Sequence, residues 1–255
     1  MATKNNVVKK WYSRLKKNDL KGDALELKIA DDSTPFAIRQ AYKTLYTNVL
    51  YLNIEDKCKK IAVTSAIPGE CKTTVACNLA VTIAQNSEEK RVLVIDTDIR
   101  APRVTKLFGL DNHAHGLSEY LAGIDEEPNL ISIPEHRVTV LTAGGKSVNP
   151  TKLVGSKKME ELINKCSEQF DYIIVDTPPI NVVSDAVFLN NLVNGYIIAA
   201  KADHSDVKNI NECLETLNRV GAEVYGFVLS SLKLKTGSGR YGRYGRYSKY
   251  NKYTN

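Results

Sequence analysis

Little in this chain could staple it together, and nothing in it is long enough to anchor it. Its five cysteines, Cys58, Cys71, Cys77, Cys166 and Cys213, are scattered through 255 residues without a C-x-x-C pair. That spacing excludes a disulfide framework or a cysteine metal site as the organising principle. No apolar run approaches the roughly 20 residues that span a bilayer, and Met1 to Lys10 lack the apolar stretch of a secretory signal. Acid is missing from both ends: Met1 to Asn18 carry six Lys/Arg, Lys233 to Asn255 carry seven, and neither segment has an Asp or Glu. Setting those aside from the 35 Lys/Arg leaves 22 against 29 Asp/Glu, so the net charge of +6 belongs to the ends and the middle is acidic. An overall argument for nucleic-acid binding fails on that distribution. No Ser/His/Asp or metal-binding histidine pattern is legible, and His113, His115, His136 and His204 fall in loops. What these absences leave is a soluble, cytoplasmic chain able to bury one full-sized core.

The organisation that is present has three parts. Residues 1–34 form a basic amphipathic segment and linker, with Val7, Val8, Trp11, Tyr12 and Leu15 on one helical face, suited to an anionic surface or a partner. Residues 35–232 form the folded domain. Ser33-Thr34-Pro35 is expected to cap a helix running from Phe36 to Leu52. From Lys59 onward, apolar runs alternate with helical patterns: Ile61 to Val63, Val92 to Ile95, Val138 to Leu141, Tyr172 to Val175, Tyr196 to Ala200 and Val224 to Leu229. Several runs lack the polar alternation of a half-exposed strand, which predicts a doubly wound α/β fold with a mostly parallel sheet flanked by helices. In such a sheet ligands sit beyond the C-terminal strand ends. Residues 233–255 form a tail whose composition predicts disorder.

The residues after the first strand read Ala66-Ile67-Pro68-Gly69-Glu70-Cys71-Lys72-Thr73-Thr74, followed by a helical stretch from Val75 to Gln85. Strand, loop, Lys-Thr, helix is the context of a phosphate-cradling P-loop: residues Pro68 to Thr74 surround the phosphates of ATP, with N–H donors from Gly69 onward, Lys72 reaches the β/γ oxygens and Thr73 ligates Mg²⁺. Cys71 stands where that motif has glycine; a left-handed backbone there costs about 1–2 kcal/mol. This substitution admits a fully competent loop, a weakened one, or a redox-sensitive loop thiol. Asp96 and Asp98 follow the second strand and Asp176 a later one, so three carboxylates leave the same sheet edge, where phosphoryl transfer uses them to hold metal and to orient or deprotonate the attacking hydroxyl.

Asp96-x-Asp98-x-Arg100-x-Pro102 resembles the second Walker-type motif of bacterial tyrosine kinases of the capsular and exopolysaccharide type. Phe108-Gly109-Leu110, Gly116-Leu117-Ser118, Leu121-Ala122-Gly123, Ala143-Gly144, Asn149-Pro150 and Asp176-Thr177-Pro178-Pro179 follow in order. The resemblance implies protein-tyrosine phosphorylation using Mg-ATP. Lys72 would counter charge on the transferred group, Asp96 and Asp176 would hold Mg²⁺ directly or through water, and Asp98 would ligate metal or take the tyrosine proton, ranking first as catalytic carboxylate. It also implies a membrane-anchored activator that recruits the protein to the inner face of the cell membrane. The family's ring-forming Glu-x-x-Arg-x-x-Arg appears here as Gln40, Lys43 and Tyr46, which leaves the homo-oligomer open. Ser230 stands where relatives tend to have Asn near the base.

In the tail, Tyr241, Tyr244, Tyr247, Tyr250 and Tyr253 recur every third residue among Arg, Lys, Gly, Ser and Asn. About 20 flexible residues reach roughly 25 Å, enough for a neighbouring subunit's site. The resemblance makes these tyrosines the autophosphorylation sites, in a spacing similar to the streptococcal kinases. Each phosphate would add about −1.5 to −2 charge and reverse the tail's electrostatic partners. Two rivals stand beside this reading. A ParA/MinD-type ATPase would place an extra lysine near the start of the loop, where Ile67 and Pro68 stand. A nucleotide-binding scaffold with weak or no kinase activity draws on Cys71 and the altered ring motif.

Overall fold

The computed structural model describes residues 28–110 and 115–230. The basic amphipathic segment up to residue 27, His113 and the tail tyrosines lie outside the described residues.

Helix α1 (Phe36–Leu50) leads into β1 (Lys59–Ser65), α2 (Lys72–Asn86) and β2 (Val92–Asp96). Short helices α3 (Val104–Leu107) and α4 (Leu117–Ala122) precede β3 (Ile131–Ile133) and β4 (Val138–Leu141). Then come α5 (Pro150–Val154), α6 (Lys157–Gln169), β5 (Tyr172–Asp176), α7 (Asp185–Phe188), β6 (Gly195–Lys201), α8 (Val207–Arg219) and β7 (Val224–Ser230). The seven strands form one sheet in the order β3-β4-β2-β5-β1-β6-β7, parallel throughout except for the β3–β4 pair.

The apolar runs are continuous because both faces of the central strands are buried. Ile61 and Val63 of β1, Val92 and Val94 of β2, and Ile174 of β5 pack under α2. The alternate residues Leu93, Ile95, Ile173 and Val175 face Met159, Leu162, Ile163 and Cys166 of α6. Every residue of β2 and β5 is buried, which is the pattern of central parallel strands. Helix α2 is buried nearly all round, since it lies over β1, β5 and β2 and is itself covered by α1. Residues 28–30 extend that cover: Ile29 joins the core, the Ala30 amide donates to Asn78 Oδ1 at 2.6 Å, and Asn78 Nδ2 donates to the Lys28 carbonyl at 3.1 Å.

Four details depart from the sequence-based expectation. The Ser33-Thr34-Pro35 cap does not form: Pro35 itself is the N-cap residue without a side-chain bond, and Thr34 Oγ1 instead accepts from the Asp31 amide at 3.0 Å. Helix α1 stops at Leu50 rather than Leu52. Helix α2 begins at Lys72, three residues earlier than the helical pattern, so Lys72, Thr73 and Thr74 are its first turn. Strand β3 was not anticipated; Ile-Ser-Ile is short and ends against Pro134, and only its antiparallel register with β4 makes it a strand.

Candidate active site

The strand ends are tied to one another before any function is served. The Thr97 amide and hydroxyl donate to the Asp176 carbonyl at 2.9 and 2.8 Å, and the Thr177 amide donates to the Val63 carbonyl at 3.1 Å. These bonds fix where β2, β5 and β1 deliver their next residues. Asp96 and Asp176 are register partners on adjacent parallel strands, a spacing of about 4.8 Å, so their carboxylates are neighbours by construction.

Beyond β1 the chain turns through Gly69 (φ 83°) and Cys71 (φ 66°, ψ 23°), both left-handed, before α2 starts. At Cys71 the Cβ makes this conformation costly by about 1–2 kcal/mol. Among the described residues, the amides from Gly69 to Thr74 donate to no protein acceptor. Free amides at the start of a helix, with its dipole behind them, form an anion site. Cys71 is partly buried and the other four cysteines are buried.

Lys72 projects from the first turn of α2 with its ammonium 2.6 Å from Asp98 Oδ2 and 3.9 Å from Asp176 Oδ1. Burial works against its charge, but Asp176 and Asp98 outweigh that and raise its pKa. Asp98 Oδ1 accepts from the Ala101 amide at 3.1 Å, which curls the chain after β2. Asp96 shapes the same loop: Oδ1 accepts from the Asp98 amide at 3.0 Å, and Oδ2 from the Arg103 and Val104 amides at 3.3 and 3.2 Å. Burial and the adjoining Asp176 charge push the Asp96 carboxyl up to about 8. Asp176 is raised to about 6, by burial first, with Lys72 and Thr73 opposing.

Both Asp176 carboxylate oxygens are buried without a hydrogen-bond partner. A buried carboxylate left this way is costly unless something charged completes it. With the Thr73 side chain close enough to favour its ionised form, the pair fits a divalent cation. Among the described residues no group of three or more His, Cys, Asp or Glu converges as a metal cage.

A family model described as AAA domain (AAA_31) matches residues 58–227. Tyrosine-protein kinase YwqD of Bacillus subtilis is 33% identical over 88% of this chain and 93% of its own length. The chain belongs to the bacterial tyrosine-kinase family. Tyrosine-protein kinase CpsD of Streptococcus pneumoniae is 34% identical over 74% of the chain and 84% of that protein. Among solved structures, the kinase domain of Escherichia coli tyrosine kinase ETK superposes with a TM-score of 0.70 at 30% identity, covering 79% of this chain and 80% of that one. A plasmid partition protein from Borrelia burgdorferi, at 18% identity and a TM-score of 0.53, shares the fold alone. The ParA/MinD alternative is therefore the distant one.

Against the family pattern, Tyr46 packs on the core cluster beneath α2 while Lys43 is exposed. The Ser230 hydroxyl donates within the sheet to the Ala200 carbonyl at 3.3 Å. Arg100 pairs with Asp185: its Nε donates to Asp185 Oδ2 at 2.9 Å and its guanidinium donates to Thr151 Oγ1 at 2.9 Å, while Thr151 Oγ1 donates to Asp185 Oδ1. Asp185 and Thr151 escaped the sequence reading, as did His204 and Ser205 on the turn after β6. The one available signal for the last two was the rule that residues following a parallel strand deserve scrutiny.

Among the described residues no helix is long and apolar enough to cross a membrane.

Proposed function

We propose that this chain is a Mg-ATP-dependent protein-tyrosine kinase whose acceptors are Tyr241, Tyr244, Tyr247, Tyr250 and Tyr253. Residues 35–232 carry catalysis, and the tail of one copy enters the site of another. The setting is capsule or exopolysaccharide production, with a membrane-anchored activator holding the protein at the inner face of the membrane. The observation that supports this most is the 2.6 Å contact of Lys72 with Asp98 at the mouth of a loop of unpaired amides. It brings the phosphate-binding cation and the candidate base to one point.

In this mechanism the residues from Pro68 to Thr74 line the polyphosphate. Lys72 exchanges Asp98 for β/γ oxygens, which keeps a buried cation paired throughout. The released Asp98 carboxylate takes the proton of the incoming tyrosine hydroxyl. Mg²⁺, held by Thr73 and Asp176 and reached by Asp96 or Asp98 through water, would supply charge neutralisation when bound. Positioning and electrostatics of this kind account for most phosphoryl-transfer catalysis.

The test is an anti-phosphotyrosine and mass-spectrometric assay of the purified chain with Mg-ATP, with and without the activator's cytoplasmic segment, beside Lys72→Met and Cys71→Gly. Tail phosphate that disappears with Lys72→Met is the expected result. Activity only in Cys71→Gly would move the protein to a second reading, a nucleotide-binding scaffold, which the non-glycine left-handed residue favours.

A further inference from the structure

The phosphate loop has a non-glycine residue in a conformation that L-residues avoid, and its own amides are unpaired. Something must hold it. The turn between β6 and α8 does so from outside. Ser205 Oγ donates to Glu70 Oε1, and Glu70 Oε2 accepts from the Ile67 amide at 2.8 Å, so a single carboxylate, 1% exposed, binds both its own loop and the neighbouring turn. His204 Nε2 lies 2.8 Å from the Pro68 carbonyl oxygen, which makes the ring nitrogen the donor. The same ring lies against Gly69, where an added Cβ would come within 3.3 Å of Nε2.

The turn is itself rigidly built. The Lys201 amide donates to Ser205 Oγ at 2.8 Å, the Ser205 amide to the Lys201 carbonyl at 2.9 Å, and Asp203 is left-handed at φ 62°. Asp206 caps α8 by accepting from the Asn209 amide at 2.7 Å. On its far side the Ala202 amide donates to the Ser230 carbonyl at 3.1 Å. Glu70 sits between the two left-handed residues Gly69 and Cys71, so pinning its side chain fixes the loop where the backbone would otherwise relax. Strained conformations persist only when their surroundings over-determine them.

We propose that Glu70, Ser205 and His204 are positioning residues that hold the phosphate loop in its nucleotide-accepting shape in spite of Cys71. The clamp bonds the loop through the Glu70 side chain and the Pro68 carbonyl, leaving the amides from Gly69 to Thr74 for phosphate. It substitutes external restraint for the conformational freedom that glycine has at the position before Lys72. The inference rests on the reading of this loop as a nucleotide site.

The experiment is a double-mutant cycle on the full chain, reading the Kd of a non-hydrolysable ATP analogue with Mg²⁺ by calorimetry and the KM and kcat of autophosphorylation. Ser205→Ala is expected to raise Kd and KM for ATP about tenfold with kcat within about twofold. Ser205→Thr, which keeps a hydroxyl, is expected to restore most of the loss. In a Cys71→Gly background the same Ser205→Ala change is expected to cost about twofold or less, because glycine adopts the left-handed conformation unaided. Equal losses in the two backgrounds, or a fall in kcat with KM unchanged, would overturn the clamp. Should Ser205→Ala fail to fold, His204→Ala, at an exposed position, carries the cycle with an expected loss of about threefold. A native chain that binds no analogue at all would take down the nucleotide reading and the clamp together; normal binding with a flat cycle removes the clamp alone.

Discussion

Strand β5 has an aspartate at each end, and the two live under opposite rules. Asp171, just before the strand, is pushed up by partial burial, but the Arg91 amide at 2.9 Å and Lys90 at 3.1 Å bring it below the usual carboxylate range. Asp176, at the other end, is fully buried, has no hydrogen-bond partner and is raised to about 6. At the Asp171 end of the sheet the charge is answered locally and serves stability. At the other, a buried carboxylate is left with no hydrogen bond and only a Lys72 ammonium 3.9 Å away that is shared with Asp98, at a cost to the free protein, which is how a site for a charged ligand differs from a cap.

The sharpest way to break this comparison is Asp176→Asn. Autophosphorylation is expected to fall by more than about a hundredfold, while the nucleotide-free protein gains roughly 1–3 kcal/mol in urea denaturation because a buried carboxylate without a hydrogen bond is gone and Lys72 keeps Asp98. Loss of stability instead would mean that Asp176 is satisfied in the free protein.

A pH series tests both ends at once. A carboxyl whose folded pKa is raised binds more protons folded than unfolded, so its contribution is present below about pH 4 and is lost as pH climbs through the folded value. For Asp176 and Asp96 that window runs from about 4 up to about 6 and about 8. Asp171, with a lowered pKa, works in reverse: its contribution is present above about pH 4 and is lost as pH falls through the folded value. Nucleotide-free stability is therefore expected to decline by a few kcal/mol between pH 5 and pH 8, and Mg-ATP is expected to flatten that decline. A nucleotide-free curve that rises over the same range would reverse the assignment.

Arg100 is the intermediate case, a charge at the functional edge that is paired. Arg100→Ala strands Asp185, whose side chain is 1% exposed, and is expected to destabilise by about 1–3 kcal/mol, the partial exposure of the arginine moderating the loss. Adding Asp185→Asn should recover part of it. Cys71→Gly is expected to change stability by about 1 kcal/mol or less, since relief of the left-handed strain is offset by glycine's freedom in the unfolded chain. Its effect should appear in nucleotide affinity. The smallest change is expected from Asp171→Asn, a loss of about 1 kcal/mol, read by the same denaturation.

Much of the site was legible because parallel strands and phosphate loops have signatures in short contiguous stretches. Lys72, Thr73, Asp96, Asp98 and Asp176 each follow an apolar run, and the structure brings Lys72 to Asp98 and Asp176 as that edge rule implies. Strand β3 was invisible because three residues carry no period, and the cap at Ser33 and Thr34 failed because Asp31, absent from any cap template, captured Thr34 first. His204 looked like a surface loop histidine, and it is exposed; what its ring nitrogen does depends on Pro68, far away in the chain.

The α/β class, the central parallel strands, the loop proposed to bind phosphate and the family could all be read from the chain alone, since these follow from local periodicity, glycine and lysine placement, and the Asp-x-Asp-x-Arg spacing. Which carboxylate is left without hydrogen bonds and what holds the loop at Cys71 come from the folded arrangement. Burial and partner choice are set by strand register and by contacts between residues distant in the chain, such as Asp96 aligned with Asp176 on β5 and Ser205 meeting Glu70. No local pattern encodes a desolvation cost, because it arises only when the sheet closes around the group.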